Sequence, residues 1–193
     1  MDEPIRPVDP AFATSPVAPR KTMNAEALKM GLMMGGLLIA YSLVLHFAGL
    51  LTNRSLGWIT YALVFIGVYL GVKNYRDERL GGHISFGTAF GMGFRIVLYA
   101  SLLLGVYTYI YYKTFGHDTL GVMRDMMLDE LAKTEIPESQ MDQMIEMYDK
   151  WVLIPGAMAI GALLGTIFLG AIISLINAAI LKRQPESLEP PMQ

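Results

Sequence analysis

The sequence predicts an all-α membrane protein, with four transmembrane helices and an amphipathic helical hairpin between the third and fourth. Three observations carry this expectation. Of 193 residues, 53% are hydrophobic and 17% charged, with a mean hydropathy of +0.42, whereas soluble domains are roughly a quarter charged. Apolar runs recur along the chain, each long enough at about 1.5 Å per residue to cross most or all of a ~30 Å hydrocarbon layer. The polar stretch 114–150 repeats its apolar residues at helical spacing.

In chain order, residues 1–22 carry Pro4, Pro7, Pro10, Pro16 and Pro19. Proline at that density blocks helix and sheet, and few apolar residues are present to offset ordering entropy, so a disordered tail is expected. The tail is too acidic and too proline-rich for the leading region of a signal peptide. The first span is expected from Met30 to Leu51, with no Asp, Glu, Lys or Arg and His46 its one basic side chain. Asn53-Arg54-Ser55 forms a tight turn, and Trp58 opens a second span ending near Val72. Lys73 to His83 then reads as a charged connection. The third span runs from Phe86 into the cluster Tyr107, Tyr109, Tyr111 and Tyr112; Ile96 to Tyr112 contains no Asp, Glu, Lys, Arg or His. Trp151 opens the fourth span, which ends at Leu181 before Lys182-Arg183, and 184–193 forms a second disordered tail. The membrane domain is thus 23–183.

The hairpin rests on two stripes. Leu120, Met123, Met127 and Leu131 share one helical face, and Met141, Met144, Ile145 and Tyr148 share another. Pro137 suits the start of a new helix between them. Methionine here reads as apolar filler; copper(I) ligation is the alternative use of these residues.

Orientation follows from the basic residues. Arg6, Arg20, Lys21, Lys29, Lys73, Arg76, Arg79, Lys182 and Arg183 fall on one side, and Arg54, Lys113, Arg124, Lys133 and Lys150 on the other. An excess of Lys and Arg marks the cytoplasmic side, so both termini are expected in the cytoplasm and 114–150 outside.

Each span carries two glycines four apart: Gly31 and Gly35, Gly67 and Gly71, Gly87 and Gly91, Gly161 and Gly165. In lipid, small residues on one face let helices approach closely and supply much of their association. Packing within the bundle is expected; a homo-oligomer face is the alternative use.

Arg95 lies about 13 Å along the third helix from Phe86, the one basic residue inside an expected span. It either snorkels to the cytoplasmic headgroups or binds an anion or lipid headgroup with Ser174 and Asn177, which the antiparallel fourth helix brings to a similar depth. His46 is expected to hydrogen-bond at the outer interface.

The chain has no cysteine, which excludes disulfides and thiolate metal sites. No Gly-rich loop leads into Lys-Ser or Lys-Thr, and no His-Glu-x-x-His occurs. The expected spans hold no Asp or Glu. No catalytic, metal or cofactor residues are therefore expected, nor a nucleic acid or soluble substrate; the expected partner is membrane lipid, with a homo-oligomer as the alternative.

Several stretches are similar to one family. Ile84-Ser85-Phe86-Gly87 with Ala89-Phe90, the tyrosines from Tyr107 to Tyr112, the segment Ser139 to Met147, and Ile172 to Arg183 together resemble the small bacterial four-span proteins catalogued as domain of unknown function 4199. The resemblance covers about residues 24–183 and implies a multi-pass membrane protein, with no activity to carry over. The expected function is a non-enzymatic structural or interaction component of a bacterial cytoplasmic membrane. The alternative is an oligomeric transporter or channel subunit with an anion or headgroup site at Arg95.

Overall fold

A computed structural model describes residues 20–50, 53–134 and 137–183; both proline-rich tails expected to be disordered lie outside that set, except that helix has already begun at Arg20. The described chain is helical: α1 (Arg20–Phe47), α2 (Arg54–Arg79), α3 (Phe86–Thr114), α4 (His117–Leu131), α5 (Glu138–Met147) and α6 (Pro155–Leu181), with a π-helical turn at Tyr148–Val152. Among them, α1, α2, α3 and α6 are long and apolar enough to cross a membrane.

Three spans differ from the sequence expectation. Helix α2 continues through Lys73 to Arg79, so that stretch is not a loop. Val68, Val72 and Tyr75 extend the buried face through it, and Arg76 and Arg79 lie in the last turn, where basic side chains complement the helix dipole. Helix α1 starts ten residues before Met30 and stops at Phe47. Buried Ala27 anchors its early turns, and Gly49, at φ +68°, breaks it. Trp151 falls in the π-helical turn, with α6 restarting at Pro155.

Helix α3 is the axis. It packs against α1 on one side and α6 on the other, while α2 touches all three. Ser85 caps it by accepting from the Thr88 amide at 3.3 Å, and Asn53 caps α2 by accepting from the Ser55 amide at 3.0 Å. The core gathers Val68, Val72, Met92, Ile96, Val97 and Ala100, all fully buried.

Small residues set the helix contacts. A Cβ at Gly31 would lie 2.7 Å from Tyr99 Cβ, and one at Gly35 3.0 Å from Leu103 Cδ2. At Gly67 it would meet Met34 Sδ at 2.7 Å, and at Gly71, Ile96 Cδ1 at 2.5 Å. These four glycines join α1, α2 and α3. The other two expected pairs do not act this way. Open space surrounds Gly87, Gly161 and Gly165, and Gly91 meets only Arg95. The α3–α6 seam instead uses Gly93, Gly105 and Gly170, the last packed directly on Val97.

At one end of the bundle, Ile84 and Arg183 exchange two backbone hydrogen bonds of 2.9 Å. Gly81 and Gly82, at φ +60° and +87°, turn the chain into that bridge, a geometry open to glycine at little cost. An Arg79–Glu26 ion pair ties α2 to α1 at this Ile84 end. At the opposite, α4 end, both helices expected between α3 and α6 are present, and Arg124 of α4 pairs with Asp149 at 2.9 Å, which raises the guanidinium pKa.

Candidate functional site

Arg95 leaves α3 toward α1. Its Nη1 donates to the Gly91 carbonyl at 2.8 Å and lies 3.9 Å from Met23 Sδ. A Cβ at Gly91 would stand 3.0 Å from that nitrogen, so Gly91 makes room for the guanidinium to fold back one turn toward the Ile84 end. The side chain is half-buried. Among the described residues no carboxylate pairs with it.

Ser174 and Asn177 face elsewhere. A Cβ at Gly93 would lie 3.1 Å from Ser174 Oγ, and Asn177 Nδ2 donates to Ile173 O at 3.0 Å and, at 3.5 Å, to Phe65 O of α2. Gly93 and Arg95 are two residues apart, hence about 200° around the helix. The depth expected from sequence is compatible with this placement, but the azimuth differs, and α3 stands between the arginine and the polar pair. The three residues do not form one hydrogen-bonded cluster.

The polar pair is itself unusual. Both residues are fully buried, yet Ser174 Oγ and Asn177 Oδ1 have no hydrogen-bond partner among the described residues. A buried polar group left unpaired costs about 1–3 kcal/mol. Ser174→Ala is therefore expected to hold or raise the unfolding midpoint in detergent; a fall of several degrees would show that the hydroxyl is satisfied.

At the α4 end a tyrosine network joins three helices. Tyr111 Oη lies 2.7 Å from His46 Nδ1 and 3.1 Å from Thr119 Oγ1. Tyr107 donates to Ser42 Oγ at 3.3 Å, and Tyr112 reaches Met123 Sδ at 3.9 Å. The sequence shows these tyrosines only as a cluster at the end of the third span. Their i, i+4 spacing was the available signal that Tyr107 and Tyr111 share a face.

Beside this network is a cavity of about 530 Å³ between α1, α3, α4 and α6, with Ser42, Thr108, Tyr107 and Trp151 on its wall. A second, of about 350 Å³, runs between α2 and α6 over Leu38 and Leu104. Gly161 and Ala162 line both. The open face of Gly161 and Gly165 therefore borders a slot.

Four apolar helices around a glycine-lined core define a multi-pass helical membrane protein. A family model described as a protein of unknown function (DUF4199) matches residues 29–183, and the chain belongs to that family. Neither a curated protein nor a solved structure matches it.

Proposed function

We propose that the chain is a non-enzymatic structural or interaction component of a bacterial cytoplasmic membrane, with both termini in the cytoplasm, and that Arg95 engages a lipid phosphate of the cytoplasmic leaflet. The observation that carries the lipid contact is the environment of the guanidinium. It is half-buried, its protein partners are a carbonyl and a thioether, and it bends toward the Ile84 end, where Lys and Arg accumulate. A charge at this depth is costly unless it is paired or reaches the interface, and a phosphate at that interface supplies the missing counter-charge. The fully buried core from Val68 to Val97 favours a packed scaffold over a conducting subunit.

The test is lipid retention. Purified in mild detergent, Arg95→Leu is expected to lose co-purifying anionic lipid about tenfold, the equivalent of about 1.4 kcal/mol, while Arg95→Lys retains part of it. Unchanged lipid in both folded variants would remove Arg95 from lipid binding.

A further inference from the structure

The cavity at the α4 end is walled by four aromatic side chains, Tyr107, Tyr111 and Tyr112 of α3 and Trp151 of the π-helical turn. The tyrosines are held in place: Tyr107 is tied to Ser42, Tyr111 to His46 and Thr119, and Tyr112 to Met123. Tyr111 and Tyr112 stand at 80° with ring centroids 5.1 Å apart, a corner between two aromatic walls. With their hydroxyls already engaged, these residues offer the cavity mainly ring surface. Its volume of about 530 Å³ lies within the roughly 300–1,000 Å³ usual for small-molecule clefts.

The lining selects by charge. It contains no Asp, Glu, Lys, Arg or His. An anion would find no cation there. A primary ammonium would bring N–H donors and a charge that burial penalises unless a carboxylate pairs it. A quaternary ammonium has no N–H to satisfy, and aromatic faces attract its charge without a counter-ion. The surroundings favour the same sign. From Lys113 to Leu153 there are nine Asp or Glu against four Lys or Arg, and Arg124 is already paired with Asp149. Such an excess raises the concentration of cations at this end of the molecule.

We propose that this cavity binds a lipophilic quaternary ammonium, its charged head against Tyr107, Tyr112 and Trp151 and its apolar substituents over Met158 and Ala162. The site is separate from Arg95, whose guanidinium folds toward the Ile84 end. A free organic cation and a choline lipid headgroup both carry this chemistry.

The experiment uses the full chain in maltoside detergent with Trp58→Phe, which leaves Trp151 the single tryptophan. Benzyltrimethylammonium is expected to change Trp151 fluorescence saturably. Its uncharged isostere neopentylbenzene, at matched free concentration, should bind at least about tenfold more weakly. Tyr107→Leu should weaken the cation about tenfold, whereas Tyr107→Phe, which keeps the ring and loses the bond to Ser42, should bind as wild type does. Trp151 is 66% exposed, so Trp151→Leu should fold; it is expected to lose most of the rise in melting midpoint that the cation gives wild type. No saturable binding, an isostere as tight as the cation, or a Tyr107→Phe loss equal to that of Tyr107→Leu would overturn the proposal. Displacement of the probe by dihexanoylphosphatidylcholine but not dihexanoylphosphatidylglycerol supports the site with a lipid headgroup as its source. Displacement by neither supports it with a free cation.

Discussion

Gly170→Ala is expected to lower stability by about 2–3 kcal/mol, toward the upper end of the range for overpacked cores. The new methyl would overlap both γ-carbons and the Cβ of Val97. Val97 is fully buried and β-branched, so it holds one strongly preferred rotamer in a helix and cannot swing aside. Nor can α6 back away freely, because Ser174 sits one turn further against Gly93. Thermal or SDS unfolding of the purified protein measures the loss. Gly161→Ala, in open space, should leave the midpoint unchanged or slightly higher, since alanine is the better helix former. Val97→Ala in the Gly170→Ala background should recover much of the loss, a coupling that a double-mutant cycle isolates. A Gly170→Ala protein as stable as wild type would mean that α3 and α6 do not pack along this seam.

On the other side of α3, Gly31→Ala should be nearly as damaging, again about 2–3 kcal/mol. Here the methyl would meet Tyr99 Cβ at 2.7 Å and the Ile96 carbonyl oxygen at 2.8 Å. One is the first carbon of a side chain and the other is backbone, so no rotamer change relieves either contact. Helix α1 would have to move off α3 while His46 still binds Tyr111 at the far end. Gly36, five residues on, has nothing within 4 Å and supplies the matched control: Gly36→Ala should be neutral in the same assay. Equal midpoints for the two variants would refute the close approach of α1 to α3.

The contrast between these glycines shows what was legible in the sequence. The helical class, the four spans and the break before Pro137 follow from hydrophobicity and helix-stop chemistry, which are local. The glycine pairs of α1 and α2 lie at contacts, but spacing alone cannot say which face a neighbour takes. Gly161 and Gly165 have the same four-residue interval and border a slot instead. Gly170 and Ser174 also make a small-x-x-x-small pair; widening the pattern beyond glycine would have flagged that seam. The extent of α2 was obscured because Lys73, Arg76 and Arg79 read as a loop, while Val72 and Tyr75 carry its buried face onward. Arg95 and Asn177 illustrate the remaining gap. Depth follows from counting residues, but azimuth depends on how α3 rotates against two neighbours, a global property of the packing.

The bridge between Ile84 and Arg183 has a bearing on biosynthesis. Helices α1 to α3 emerge in sequence and can associate as soon as they enter the bilayer. Helix α6 leaves the ribosome only after α4 and α5, and its seam partners Gly93, Val97 and Gly105 must wait for it with their faces turned to lipid. Arg183 is synthesised later still, so the two hydrogen bonds that close the Ile84 end can form only once the whole of α6 has been made. The bridge thus joins the residue before the Ser85 cap of α3 to the residue just beyond the Lys182 cap of α6.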